Sequence, residues 1–483
     1  MKTMNFTDKS VNIDKNGDIS VQDTNYTMAV EPKSPKLGVM LVGMGGNNGS
    51  TFLAGLLAHS KKLTWDNKSG NHSVKFYGSV SQFGSVHIGY DDKNNAHSKL
   101  FKDIGKEGGW NMCSPEDLVI GGWDISSDNM YVAAKKAQVI DNHLLEQLKD
   151  DLQKYVPLPS IYNPDFIAKN QNSRTDNIIR YLSLHLTIKH LVNDITEFKV
   201  QNNLDKVIIL WTASTERFNK GNWTTSQDLI DALTNNDKEI SPSILFAVAA
   251  AKTGCIFLNG SPQNTVCPAL IDYAKTMGTF VGGEDFKTGQ TKIKSVLVDW
   301  LVSGGIKPLS IVSYNHLGNN DGKNLSEAPQ FESKEITKKN VIDDVVDENP
   351  VLFDGNKPDH AVVIKYVPAV GDSKRALDEY YSEIFLNGKH TLVMHNTCED
   401  SLLAVPLILD IILFADFFSR VKLNYKPFNT VLSYLSIFFK APVTNNGEPL
   451  INAFFRQYNG LENFFRTLMN LPPLSQMFLN KRI

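Results

Sequence analysis

From residue 37 to 290 the chain repeats one pattern: a short unbroken apolar run, a small polar loop, then a stretch whose apolar positions recur at helical spacing. The runs at 39–42, 117–124, 206–212 and 255–258 lack polar alternation, as strands covered on both faces of a parallel sheet do. Residues 74–80 read as a further strand and 279–283 as the last, while 81–115 reads as a long loop region. Helical stretches occupy 52–59, 129–140, 178–200 and 244–251. Strand, polar loop and helix in repetition predict an α/β fold, with a doubly wound parallel sheet whose ligand loops gather at one edge.

From residue 291 the pattern changes. An amphipathic helix at 291–301 and a strand at 309–314 are followed by a helix carrying Lys334, Lys338 and Lys339 and ending near 344. Three half-polar strands, around 360–367, 377–385 and 390–395, suit an open antiparallel or mixed sheet with one face free for substrate or another subunit. Residues 37–290 and 291–400 are therefore expected to be two domains, the second of α+β type. Thr397-Cys-Glu-Asp400 reads as a capping box opening an apolar helix to 418, and helices follow at 427–439 and 460–471. The segment 401–483 is expected to return to the first domain, and the polar residues 1–36 to form an arm packed on the core.

A length of 483 residues agrees with two domains, and 42% apolar with 21% charged residues is an ordinary soluble composition. A net charge of −3 gives no global attraction to nucleic acid or an anionic membrane, so any anion must be bound locally. Cys113, Cys255, Cys267 and Cys398 form no metal-spaced pair, which points to free thiols in a reducing compartment, with no zinc. The N-terminus lacks the apolar core of a signal peptide, and a cytoplasmic location is expected. The apolar run 402–418 contains Pro406, Asp410 and Asp416, and reads as a helix of a core or subunit interface, with no membrane span.

Chemistry enters at Gly38-Val-Met-Leu-Val-Gly-Met-Gly-Gly-Asn-Asn-Gly-Ser-Thr51, where an apolar strand runs into glycines and a helix start. Gly43, Gly45, Gly46 and Gly49 let the backbone turn and approach a ligand, and Asn47, Asn48, Ser50 and Thr51 can cap the helix. Free N–H groups and the helix dipole then point at one spot, an anion site suited to a dinucleotide pyrophosphate. The spacing departs from G-x-G-x-x-G, because Asn48 holds the third position and Gly49 follows it. Nor does an acid for the ribose stand where the fingerprint expects one; the chain there reads Tyr77-Gly-Ser79. Asp124, at the end of a later strand, is the candidate for that acid, with an N-cap or turn aspartate as the alternative. Farther on, Lys334 and Lys338 are four apart on one helix face, which makes a phosphate site, a base beside a phosphate ligand, or merely a solvated face.

Gly43-Met-Gly-Gly-Asn-Asn-Gly-Ser-Thr51, Gly122-Trp-Asp-Ile125, Asn259-Gly-Ser-Pro-Gln-Asn-Thr265, Ser313-Tyr-Asn-His-Leu-Gly-Asn-Asn-Asp-Gly322, Gly371-Asp-Ser-Lys374 and Cys398-Glu-Asp-Ser-Leu-Leu403 together resemble the eukaryotic inositol-3-phosphate synthase (myo-inositol-1-phosphate synthase) family. The resemblance runs from about residue 37 to the end. It implies a Rossmann-type domain and an NAD-dependent isomerase that converts glucose 6-phosphate to 1D-myo-inositol 3-phosphate, a precursor of inositol phospholipids. The implied steps are oxidation at C5, enolisation at C6, closure onto the C1 aldehyde and re-reduction.

Carried over position by position, the resemblance assigns NAD binding to Gly43, Met44, Gly45, Gly46, Asn47, Asn48, Asp124, Gln171, Arg174, Thr212, Ala213, Thr215, Gly260, Ser261, Asp285, Thr288, Asn319 and Asn320. Asp321, Asp372 and Asp400 border the cofactor and tune the lysines. Lys334 is the implied acid/base at the C5 oxygen, on the condition that burial or neighbouring cations lower its pKa toward neutrality. Lys440 would stabilise oxyanion charge, and Lys338, Lys374 and Asn315 would bind phosphate or orient the sugar. Glu284 stands where the family often has an aspartate before Asp285. The resemblance further implies a homotetramer assembled through the second domain's sheet, and no residue is assigned to a metal. Two rivals share the architecture: an NAD-dependent sugar-phosphate dehydrogenase, and an inactive NAD-binding scaffold.

Overall fold

The computed structural model describes residues 2–180, 183–428, 431–445 and 448–474. The chain opens on an antiparallel hairpin, β1 (Lys2–Ile13) and β2 (Ile19–Val30), whose base extends into a sheet with a strand near the C-terminus. The fully buried β3 (Leu37–Val42) then enters the centre of a six-stranded parallel sheet. Its partners are β4 (Val119–Asp124), β5 (Leu158–Pro159), β6 (Lys206–Trp211), β7 (Ile256–Asn259) and β8 (Val281–Gly282), in the order β8-β7-β6-β3-β4-β5. From β3 the chain winds outward through β4 and β5, then returns to lay β6 on the other side. That reversal makes the gap between the carboxyl ends of β3 and β6 the switch point at which a doubly wound sheet binds its ligand.

Local pattern and structure part in three places before β6. Residues 74–80 form no strand, because the Asp410 carboxylate takes Ser79 Oγ at 2.6 Å, Val80 N at 2.6 Å and Ser81 N at 2.8 Å. The chain's next strand in the parallel sheet is therefore β4. The expected loop region 81–115 contains a hairpin, Ser85–Tyr90 with Ala96–Leu100, and a helix, Phe101–Gly108. The helix expected from 178 begins later, at Leu184–Gln201, where Ser183 caps it; residues 181–182 of that expectation lie outside the described residues.

The helix that follows β3 is α1 (Asn47–Ser60), and after β8 comes α2 (Gly289–Ser303). A second, mixed sheet follows: β9 (Lys307–Leu317), then α3 (Ala328–Lys339), β10 (Asp359–Tyr366), β11 (Ser373–Ile384) and β12 (Gly388–Glu399), ordered β10-β9-β11-β12. β10 is parallel to β9, while β11 and β12 are antiparallel. Because successive side chains alternate in direction, one face buries Ser313, Asn315, Lys374 and Asp378 and the other exposes Tyr314, Val363, Leu377 and Val393.

The 20-residue α4 (Asp400–Ser419) is buried along most of its length against α1 and the parallel sheet. Its two interior aspartates are engaged: Asp410 holds residues 79–81, and Asp416 accepts from Lys206 at 3.0 Å and Arg420 at 3.1 Å. Buried acids of this kind need such partners, and the partners fix the helix's rotation. After α4, β13 (Val421–Leu423) pairs with β2. Of the helix expected at 427–439, residues 429–430 lie outside the described residues; helix forms only at Val431–Leu435, with a tighter turn at Ser436–Phe438, while 427 ends a short strand and Phe439 bridges to Phe286. α5 (Phe454–Leu468) starts and ends earlier than its pattern suggested and packs into the same core as α4.

Candidate active site

The glycine loop is built by close backbone packing. Gly43 has φ +83°, and a Cβ there would stand 2.5 Å from the Cα of Ala213, so only glycine fits between the ends of β3 and β6. A Cβ on Gly49 would meet the carbonyl of Met44 at 2.3 Å, which keeps α1 tight against the loop. The expected side-chain caps are not used. Gly46 is the N-cap, Ser50 Oγ donates back to its carbonyl, and Asn47 Nδ2 instead reaches Asp372 Oδ1 at 3.1 Å. The first-turn N–H groups of α1 thus open on the cleft without a competing side-chain oxygen from the cap.

Asp124 ends β4, the direct neighbour of β3, which is where the acidic member of a dinucleotide fingerprint sits. A long excursion between α1 and β4 is what hides it in the sequence. Its Oδ2 accepts from Gly45 N at 2.8 Å and its Oδ1 from Ser126 N at 3.0 Å, so both readings of this residue, cleft acid and turn aspartate, apply together. Burial raises its pKa above the usual carboxylate range, against the pull of the Arg174 guanidinium 4.0 Å away.

From this loop one continuous cleft runs between the two sheets, about 1360 Å³ including its open mouth. Of the implied residues it is lined by Gly43, Gly46, Asn47, Asn48, Asp124, Arg174, Thr212, Ala213, Thr215, Gly260, Ser261, Asp285, Thr288, Asn319, Asn320, Asp321, Lys334, Lys338, Lys374, Asp400 and Lys440. Five are outside this lining, although Gly45 lines an adjoining depression with Gly46, Asn47 and Arg174. Met44 belongs to the apolar core, and Gly45 is bound to Asp124. Gln171 is buried, with Nε2 on Asn170 Oδ1. Asn315 touches the cleft through Lys338, and Asp372 holds other cleft residues in place.

At the far end the charged groups converge. Asp285 Oδ1 accepts from Lys334 Nζ at 2.8 Å and from Lys440 Nζ at 3.0 Å, and its Oδ2 accepts from Thr337 Oγ1 at 2.9 Å. Lys334 and Lys338 lie on one face of α3, and Lys440 comes from the segment after the 436–438 turn, tied to Asp285 by Lys440 N to its carbonyl at 2.7 Å. Lys338 Nζ donates to Asn315 Oδ1 at 3.0 Å, and Lys374 on β11 pairs with Asp400 at 3.5 Å. The solvated-face alternative for Lys334 and Lys338 fails, since both are buried.

Asp372 joins the two walls. Its carboxylate accepts from Asn47, and from Ser401 N and Ser401 Oγ, each at 2.8 Å, and its carbonyl takes Asp400 N. This replaces the capping box expected at 397–400, for Glu399 makes no side-chain cap.

The electrostatics divide the lysines, and here the condition set for Lys334 is not met. Burial alone would lower its pKa, but the carboxylates of Asp285 and Asp321 outweigh burial and hold it above the ordinary lysine value. Lys440 goes the other way: burial, with the charges of Lys334 and Lys374, brings it down to about 7 despite Asp285. Burial and four neighbouring ammonium groups push Lys338 well below its usual value. Burial also works to raise the pKa of Asp285, but Lys334 and Lys440 prevail and keep it ionised.

Several contributors were not singled out in the sequence. Thr337, which orients Asp285, lies between the two lysines of α3, three residues after Lys334; helical spacing alone carries that signal. Ser401 follows Asp400 directly. Ser160, Ile161 and Tyr162 line the cofactor end of the cleft but read in sequence only as a Pro-rich connector.

Comparison with known proteins agrees with this architecture. A NAD-binding family model described as myo-inositol-1-phosphate synthase matches residues 37–466. The chain is 49% identical to inositol-3-phosphate synthase of Drosophila melanogaster over 473 residues, 95% of this chain and 83% of that protein. It is 49% identical to inositol-3-phosphate synthase 1 of Mus musculus over 470 residues, with the same two coverages. The crystal structure of inositol-3-phosphate synthase from Caenorhabditis elegans superposes with a TM-score of 0.94 at 47% identity, covering 99% of this chain and 94% of that one. With a family model matching most of its length and relatives nearly half identical over 95% of it, the chain belongs to the myo-inositol-1-phosphate synthase family.

Proposed function

We propose that this protein is an NAD-dependent isomerase that converts D-glucose 6-phosphate to 1D-myo-inositol 3-phosphate. One observation carries the reading: two ammonium groups share the Asp285 carboxylate at the far end of a cleft whose near end is the glycine loop. The residues fit NAD, since the loop and the α1 N-terminus suit a pyrophosphate and Asp124 and Arg174 stand beside them. Held by the glycine loop, Asp124 and Arg174, NAD would supply the hydride acceptor and donor for the oxidation at C5 and the later re-reduction.

The chain's own groups do the rest. Lys440, with a pKa of about 7, is suited to take a proton from the C5 oxygen and give it back, a role the family resemblance implies for Lys334. Lys334, kept charged by Asp285 and Asp321, offers a fixed cation to enolate or alkoxide oxygen. Lys338, starved of counter-charge, and Lys374 are suited to the phosphate, whose negative charge would let Lys338 keep its proton. Asn315 orients Lys338, and Asp321 and Asp400 balance the cations.

Incubation of the purified protein with NAD and glucose 6-phosphate tests this. Inositol phosphate without accumulating NADH is expected; NADH accumulation would mean a dehydrogenase, and neither product an inactive scaffold. We further infer a cytoplasmic homotetramer. Its supports are the four free thiols and the exposed Tyr314, Val363, Leu377 and Val393 on the outer face of the mixed sheet, and native mass spectrometry reads the subunit number.

A further inference from the structure

Beneath the lysine cluster lies a second polar layer that none of these steps uses. β9 and β11 are antiparallel neighbours whose alternate side chains point inward, so two residues along each strand lead one layer deeper. The first layer carries Asn315, paired with Ala376, and Lys374 lies beside it. The next carries Ser313 opposite Asp378, both fully buried. Ser313 Oγ donates to Asp378, and Gln290 Nε2 reaches both carboxylate oxygens at 2.9 Å. Into this pair comes Lys294 from α2, also buried, with Nζ donating to Ser313 Oγ at 2.7 Å and to His360 Nε2 at 2.9 Å.

We propose that Lys294 is a positioning residue for the reaction: anchored by Ser313 and balanced by Asp378, it fixes the strand that carries Asn315 and sets the electrostatic field in which Lys338 works. Ser313 and Asn315 are two residues apart on one strand, and Asn315 Oδ1 is the acceptor for Lys338 Nζ. The charged groups bearing on Lys338 are Lys374 from β11, Lys440 from the segment after residue 438, Lys294 from α2 and Lys334 from its own helix. The nearby carboxylates are engaged elsewhere: Asp285 by Lys334 and Lys440, Asp400 by Lys374, Asp378 by Ser313 and Gln290. His360 on β10 faces the same region and is neutral, its pKa lowered to about 3 by burial and then by Lys294. Burial brings Lys294 itself to about 8 in spite of Asp378, so it is largely charged at neutral pH. A cation in that place repels the Lys338 ammonium and disposes it to take an anionic partner. For packing alone, an apolar side chain of similar volume would serve as well.

The inference rests on the reaction proposed above, and its test separates the two. In the double variant Lys294→Met, Asp378→Asn the charge pair leaves together and no buried charge is orphaned. With folding checked by thermal melting and NAD affinity by titration, the pH midpoints of kcat/KM for glucose 6-phosphate are expected to move up by about half to one unit, because Lys294 is among the charges that lower the Lys338 pKa whereas the Asp378 carboxylate is taken up by Ser313 and Gln290. The kcat is expected to fall about tenfold, with NAD affinity unchanged. A folded variant with the wild-type pH profile and kcat would overturn the proposal. Should the double variant not fold, Ser313→Ala keeps both charges and removes only the bridging hydroxyl. A several-fold loss of kcat restored by Ser313→Thr is expected, and wild-type kcat in Ser313→Ala overturns the role. A wild-type protein that forms no inositol phosphate defeats the parent reading instead.

Discussion

The two walls of the cleft meet charge by opposite means. On the parallel-sheet side the groups aimed at a ligand are main-chain N–H donors and small residues, held by steric fit such as Gly43 against Ala213. Facing them are four buried lysines, Lys334 and Lys338 from α3, Lys374 from β11 and Lys440 from the segment beside the end of β8, held by carboxylates and an amide. A backbone wall keeps its dipoles at every pH and is damaged mainly by added volume. A lysine wall in a low-dielectric setting can be tuned over several pH units, and is damaged mainly by lost or misplaced charge. Under the proposed reaction the walls would divide the work, with binding of a constant partner on one and proton and charge handling on the other.

The sharpest way to break that division is to alter one wall and read both functions. Lys334→Ala is expected to lower turnover at least about a thousandfold while NAD titration stays within a few-fold of wild type. Substantial NAD loss would show that the walls are not separable. Gly43→Ala should do the reverse. Its Cβ has no room at φ +83°, so NAD affinity should fall about ten- to a hundredfold at a stability cost of about 1–3 kcal/mol, with turnover at saturating NAD largely kept.

The pH dependence sharpens the comparison further. If neutral Lys440 accepts the proton, kcat/KM rises about tenfold per unit as pH climbs toward 7 and levels above it. Lys440→Arg, which stays charged, should lose that limb, and a falling profile through the same range would place the needed form as the ammonium instead.

The smallest effect is expected at the seam. Glu284 exchanges main-chain bonds with Ala441, joining the end of β8 to the segment that bears Lys440, and its carboxyl accepts from Val266 N at 2.6 Å. Burial raises its pKa to about 8, above its ordinary 4.5, so its contribution to stability is fully present below about 4.5 and is lost as pH rises to about 8. Glu284→Gln keeps the bond and removes the titration. The drop in Tm between pH 5 and pH 8 should shrink by about 1–3 °C, and an unchanged drop would assign the pH dependence to other groups.

Much of the backbone wall was legible beforehand. The unbroken apolar run of β3 and the glycines after it are local signals, and the burial of that strand on both faces follows from them. The lysine wall was legible only as residues, through motif resemblance. That Lys334 and Lys440, 106 positions apart in the chain, share one oxygen of Asp285 is a matter of how α3 and the segment after residue 438 meet. The failed strand at 74–80 and the unused capping box at 397–400 have the same origin. In each, a carboxylate from far along the chain, Asp410 or Asp372, takes N–H groups that local pattern had allotted elsewhere.

Sequence alone thus determined the alternating α/β order, the switch-point glycine loop and the residue types available for chemistry, because periodicity and backbone freedom are properties of neighbouring residues. Only the tertiary structure decided which lysine stays charged and which approaches neutrality, because a pKa in a buried cluster depends on desolvation and on distances between groups that the chain itself keeps far apart.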